Sequence, residues 1–400
     1  MHYHVAISQE SDVEQAVQAL HDSTIQSLGP NPPDLAFLFF SSFFSENTSS
    51  LQALIREKIS PHVLVGCMNN GVIGGVQEFE SEPAIILWSA RLPDVTVRPI
   101  RLEAQEQNGH LTLHGWPESI DFGKKQPYVF LFADPFTSPI EEMFASIERD
   151  CPGSPVIGGI ASGGTDSGEN RLLLNQNTYD SGVVGVVLWG QLDVRTVVSQ
   201  GCQPIGEPYV VTKAERNIIY ELGGMSMLER LKITMQSIRA NNPSQVGHQS
   251  LQVGIAMDEY RGVLGQGDFL IRDLMGADER SGGVSISDVV QEGQTLQFHV
   301  RDANAADQEL TKLLAEDQST HVDQPAKGVL LFSCICRGER LFSHPHHDIQ
   351  TVREQIGAIP IAGFFAGGEI GPVGGKNYLH GYTASVALFC DPQESDIRVE

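Results

Sequence analysis

Three stretches of the chain repeat one hydrophobic layout. Each opens with a continuous apolar run of strand length: "DLAFLFFSS" from residue 34, "PYVFLFADP" from 127 and "GVLLFSCIC" from 328. Runs of this length without alternation read as strands buried on both faces. A short amphipathic helix follows each one. In "SPIEEMFASIERD", Ile140, Met143, Phe144 and Ile147 fall at i, i+3, i+4 and i+7, with Ser138 as the expected N-cap, Pro139 at the first helical position and Glu141 closing a capping box. Leu51, Leu54, Ile55 and Ile59 form the matching stripe in the first copy, and Ile349, Val352 and Ile356 in the third.

After each helix a proline precedes a short apolar strand that runs into glycines: "PHVLVGCMNNGVIGG" from 61, "PVIGGIASGGTDSG" from 155 and "PIAGFFAGGEIGPVGG" from 360. A last strand closes each copy: "AIILWSARL", "GVVGVVLWG" and "TASVALFC". The unit is strand, helix, strand, glycine loop, strand. The pattern predicts an α/β protein of two domains, built from these pseudo-repeats on mixed sheets.

An N-terminal helix over 10–28 is expected from Val13, Val17 and Leu20, and a helix before residue 240 from Leu228, Leu231, Met235 and Ile238. The polar stretch 239–250 is the expected boundary, giving domains 1–240 and 250–400. Beyond it "LQVGIAMDEY", "DFLIRDLMG", "VSISDVV" and "LQFHVRD" read as strands, followed by a helix over about 303–315.

Composition narrows the function. Acidic residues outnumber basic ones 50 to 26, a formal charge of −24, which repels phosphate backbones and anionic membranes and makes nucleic acid a poor partner. No apolar run has the length of a membrane span and the first residues lack a signal-peptide layout, so a cytoplasmic location is expected. The six cysteines, at 67, 151, 202, 334, 336 and 390, form no CxxC pair and are read as reduced thiols. Gly375-Lys376 is followed by Asn377, which rules out a Walker loop; Gly-x-Gly-x-x-Gly is absent, and no Gly-x-Ser-x-Gly surrounds Ser162 or Ser167. No cofactor is indicated.

With these stretches in view the sequence resembles the FIST family of intracellular signal-transduction sensory modules, made of a FIST N-terminal and a FIST C-terminal domain. The likeness rests on "LVGCMNNGVIGG", "PVIGGIASGG" and "VVTKAERNIIYELGG" in the first half, and on "GDFLIRDLMGAD", "GQTLQFHVRDA", "LLFSCICRGERLF", "IAGFFAGGEIGPVGG" and "LHGYTASVALF" in the second. It implies a small-ligand sensor, with amino acids or similar metabolites as ligands. The region before the first strand is too short for an F-box and no output domain follows, so output is expected to pass through a protein partner. Neither that partner nor the oligomeric state is readable.

Candidate site residues follow, each with two readings. Glu369, an acid in "GGEIG", either holds a ligand amine or caps a turn. Arg272 lies between apolar neighbours in "FLIRDL" and Arg337 at the end of an expected strand in "CICRGER", so each must meet an internal carboxylate or a ligand anion. Backbone N–H groups of Gly163, Gly164, Gly367 and Gly368 either line a ligand or serve turns, and Cys67 and Thr383 flank the same loops. Cys334 and Cys336, two apart on an expected strand, share a face; Cys334 with His380 is a weak nucleophile–base pair. His344, His346 and His347, with Asp348, make a weak metal candidate in "SHPHHD". Small-ligand binding is the preferred reading. The alternatives are an interaction subunit of a signalling or ubiquitin-ligase-like assembly and a cysteine-dependent enzyme acting on a small acid.

Overall fold

The computed structural model describes residues 1–107, 110–116, 126–241, 250–260, 262, 264–265 and 267–392, so most of the expected boundary at 239–250 lies outside the described residues. Two compact units emerge, Met1–Val198 with Thr311–Glu400, and Ser199–Leu310. This division differs from the sequence halves: the second unit is an insertion, and the chain returns to the first after it.

In chain order, β1 (His2–Ser8) and α1 (Val13–Leu28) precede the first copy, which comprises β2 (Leu35–Ser41), α2 (Thr48–Lys58), β3 (Val63–Asn69), β4 (Val72–Gly74), β5 (Gln77–Phe79) and β6 (Ile85–Arg91). A ribbon of β7 (Val95–Gln107) and β8 (His110–His114) leads to the second copy, β9 (Tyr128–Ala133), α3 (Ile140–Asp150), β10 (Val156–Ile160), β11 (Leu172–Leu174), β12 (Asn177–Tyr179) and β13 (Val183–Gly190). β14 (Asp193–Ser199) ends this first pass. The inserted unit holds β15 (Cys202–Glu215), β16 (Ile218–Leu222), β17 (Met225–Ser226), α4 (Met227–Asn241), β18 (Ser250–Ala256), β19 (Phe269–Asp278), β20 (Gly283–Ile286) and β21 (Thr295–Arg301). After α5 (Ala303–Thr320) comes the third copy, β22 (Ala326–Cys334), α6 (Gly338–Phe342), α7 (His347–Ile356), β23 (Ile361–Ala366), β24 (Glu369–Val373), β25 (Lys376–His380) and β26 (Ala384–Cys390).

Within the first unit each copy makes a parallel pair across its helix, β2 with β3, β9 with β10 and β22 with β23, and its last strand returns antiparallel to its first. The glycine loop then leaves the sheet. Hairpin β4–β5 of the first copy extends the third copy's sheet on β23, hairpin β11–β12 of the second extends the first copy's sheet on β3, and hairpin β24–β25 of the third extends the second copy's sheet on β10. Three mixed sheets are thereby joined in a cycle.

One register recurs in all three. Gly66 faces Leu38, Gly158 faces Leu131 and Gly363 faces Leu331, and a Cβ at these glycines would lie 2.0, 1.9 and 1.7 Å from the facing carbonyl oxygen. Only glycine permits that approach of two backbones. The residue after each leucine is a phenylalanine, and Phe39, Phe132 and Phe332 meet in the shared core with ring centroids 5.2, 5.9 and 6.3 Å apart. Trp88, Phe130, Phe364 and Phe389 surround them, and α1, α2 and α3 cover the outer faces of the first two sheets.

Local predictions met different fates. Ile140, Met143, Phe144 and Ile147 are all buried, as are Leu51, Ile55, Ile349 and Val352. Ser138 is not the cap of α3: Pro139 holds that position without a side-chain bond, and the Ser138 hydroxyl donates to Gly182 O at 2.9 Å. Met235 on α4 is exposed. In the inserted unit the strands pair in the order β15, β21, β18, β19, β20, β16, and β16 closes back on β15, forming an antiparallel barrel filled by Val253, Ile255, Leu296 and Phe298. Among the described residues no helix is long and apolar enough to cross a membrane.

Candidate functional site

The strand ends of the three copies meet where the glycine loops cross. Asn70 N–H donates to Ser162 Oγ at 3.1 Å, and that hydroxyl donates to Phe365 O at 2.5 Å, so one residue from each copy joins the chain of bonds. Gly367 N–H donates to Ile160 O and Ile160 N–H to Gly368 O, while Gly164 N–H is taken by Asn170 Oδ1 at 2.9 Å. Gly163 packs against Met68 with no room for a side chain. Two of the four N–H groups expected to face a ligand are therefore spent within the protein, that of Gly164 inside its own loop and that of Gly367 across a crossing.

Equivalent positions at these crossings differ in chemistry. The first residue of each exchanged hairpin is Val72 in the first copy and Leu172 in the second, both buried and apolar, but Glu369 in the third. The Glu369 side chain is fully buried. Thr383 N–H donates to Oε2 at 3.0 Å; Oε1 has no nitrogen or oxygen donor among the described residues, and the Cys334 thiol lies beside the carboxyl. Burial pushes its pKa well above the ordinary carboxylate range, against the pull of the Thr383 N–H, Cys334 and Arg337. Thr383 itself donates its hydroxyl to Gly381 O.

Arg337 is buried and already paired. Its Nε and Nη2 reach the two carboxylate oxygens of Asp348 at 2.7 and 2.8 Å, its guanidinium lies 5.3 Å from the Phe342 ring centre, and Ser333 Oγ donates to Asp348 at 2.6 Å. Burial raises the Asp348 pKa, but Arg337 and then His347 outweigh it and hold the carboxyl well below its usual range. Arg272 stands in the other unit, with Nε 2.7 Å from Asp288 and Nη1 donating to Ile271 O. Both arginines thus have internal carboxylates.

A further acid, missed in the sequence, joins this cluster: Glu78 of β5, carried over by the hairpin exchange. Its Oε1 accepts Ile349 N–H at 2.9 Å in the first turn of α7, and Oε2 is buried with no hydrogen-bond partner among the described residues. Burial and the neighbouring Asp348 push it up to about 8. No local pattern marks a residue whose partners lie some 270 positions away; only the exchange of hairpins makes it part of the site.

Cys336 does not share a strand face with Cys334. β22 ends at Cys334 and the chain turns there, with Arg337 N–H bonded to Cys334 O. The Cys334 thiol is pushed far above its ordinary pKa by a hydrogen bond with Cys336, by burial and by Glu369, the opposite of nucleophile activation. His380 Nε2 contacts Gly371 O at 3.0 Å. Cys67 is likewise pushed up by burial, beside Asn69. The three histidines diverge: His347 Nδ1 meets Asp348, His346 Nδ1 accepts Glu78 N–H, and His344 Nδ1 lies by Pro345 O. Among the described residues no His, Cys, Asp and Glu group is arranged to hold a metal ion.

Glu369 thus stands in a cyclic α/β assembly interrupted by an inserted barrel. The FIST N domain matches residues 34–225 and the FIST C domain residues 228–372, and the chain belongs to the FIST family, whose domains are sensory domains of signal transduction. It is 39% identical over 387 residues to the uncharacterized protein Rv0628c of Mycobacterium tuberculosis, covering 97% of this chain and 99% of that protein. It is equally 39% identical over 390 residues to the uncharacterized protein Mb0898c of Mycobacterium bovis, covering 98% and 99%.

Proposed function

We propose that the chain is a small-ligand sensor that takes the amine of a small polar metabolite, an amino acid or a compound like it, at Glu369. The observation that carries this is the single acid standing where the other two copies place Val72 and Leu172. A fully buried carboxyl whose donors are one backbone N–H and a thiol is costly and persists where something offsets it. An ammonium group would offset the charge that burial penalises on Glu369, and Glu78 adds a second acid near the same guanidinium. Arg337 and Arg272, each bound to its own carboxylate, support a structural role better than capture of a ligand carboxylate. The retained Cys334 proton favours binding over nucleophilic chemistry.

The test is a thermal-shift titration of the purified protein against primary amines and amino acids, since binding to the native state raises the midpoint by mass action. A dose-dependent rise with one amine, lost in Glu369→Gln, is the expected result. A flat response across the panel, or a rise undiminished in that variant, overturns the assignment.

A further inference from the structure

We propose that the strand-end face of the three-copy ring is a docking surface for a basic, apolar-anchored segment of a partner protein. Just past the end of the first strand of each copy stands a large exposed apolar side chain: Phe43 after β2, Phe136 after β9 and Ile335 after β22, with relative exposures of 61%, 47% and 43%. Isolated exposed apolar residues need no explanation, but here Phe43 and Phe136 each stand four residues past the matching core phenylalanine, and Ile335 stands three past Phe332 in the third copy. The Phe39, Phe132 and Phe332 contacts bring the three first strands around one core, and the bonds among Asn70, Ser162 and Phe365 gather the carboxyl ends of β3, β10 and β23, each of which runs parallel beside its copy's first strand. Phe43, Phe136 and Ile335 accordingly mark three corners of one end of the ring.

The charge around these corners selects the occupant. Glu46 lies three residues past Phe43, Asp166 and Glu169 sit in the second copy's crossing loop, and Glu339 lies four past Ile335, all exposed. Arg340 is an exposed cation nearby, and Arg171 is turned onto Gly168 O and Asn170 O. The balance is acidic, as is the chain at −24. Apolar anchors rimmed by carboxylates fit a segment with aliphatic or aromatic side chains interleaved with Lys or Arg. A second copy of this acidic chain fits less well, since like charges would face each other.

The experiment uses the full chain and a fluorescein-labelled amphipathic helix of leucine and lysine, read by anisotropy, beside a leucine–glutamate helix of the same length. Binding of the basic probe alone is expected, weakened by salt and reduced at least about tenfold in a Phe43→Ser, Phe136→Ser double variant, as loss of two aromatic anchors predicts. Val322→Ser, which removes an exposed apolar side chain outside these loops, is expected to leave binding unchanged. Equal loss in Val322→Ser, or no loss in the double variant, overturns the proposal. Sedimentation velocity showing a dimer that the double variant dissociates also overturns it and makes the occupant a second copy. An unchanged melting temperature in the variants shows that folding is not what moved.

Discussion

Asp134 and Glu369 are both fully buried carboxyls at strand ends of the same ring, yet their surroundings are opposite. Asp134, next after β9, accepts from Asn170 Nδ2 at 3.0 Å, Phe136 N–H at 3.1 Å and Thr137 Oγ at 2.7 Å. Glu369 accepts one backbone N–H. The first cluster is a closed hydrogen-bond set that fixes a loop. The second has a single backbone N–H and the Cys334 thiol beside it, and burial pushes its pKa well above the ordinary carboxylate range. Repetition of a fold therefore exposes its exceptions: where two copies carry valine and leucine and the third an acid, packing alone does not account for the third.

The largest expected effect tests the ion pair beside this exception. Arg337→Ala leaves Asp348 charged and buried, at a cost of about 3–5 kcal/mol, measured by urea unfolding. A loss below about 1 kcal/mol, the range of exposed pairs, would show that water reaches the pair. Next, Asp134→Ala orphans the Asn170 amide and the Phe136 N–H and is expected to cost about 1–3 kcal/mol. The comparison breaks if Glu369→Gln costs as much, because a glutamine stands in for the protonated carboxyl and is expected to change stability by less than about 1 kcal/mol.

Glu78 sharpens the comparison through pH. Its folded pKa of about 8 lies above its ordinary 4.5, so between those values the folded state holds a proton that the unfolded state has released. That contribution to stability is complete below 4.5 and is lost as pH rises through 8. Glu78→Gln is expected to flatten the decline of stability with pH across this window by up to about 1.4 kcal/mol per pH unit, measured by denaturation at a series of pH values. An unchanged slope would place Glu78 in contact with water.

Much of this was legible in the sequence because it is local. The stripe Ile140, Met143, Phe144 and Ile147 needs only helical spacing, and the strand runs need only length and apolarity. Arg337 was legible as a residue requiring a carboxylate, and Asp348 was visible only as one acid among histidines; their pairing depends on how β22 turns into α6 and α7. Glu369 was conspicuous as an acid among glycines. Glu78 was not, nor was the crossing of each hairpin to another copy's sheet, since pairing such as Gly159 with Glu369 joins positions with no periodic relation. The failure of Ser138 as a cap is the same lesson at short range: Gly182 O, brought in by β13, competes successfully for its hydroxyl.

The cyclic exchange of hairpins also sets an order of events during synthesis. β10 has its outer neighbour only when β24 arrives, more than 200 residues later, and β4 and β5 wait for β23. Until the last copy has emerged, the first two present open sheet edges that can pair with other chains. Closure of so long a loop is slow, so the hazard of such mispairing is greatest in the interval between the second copy and the third.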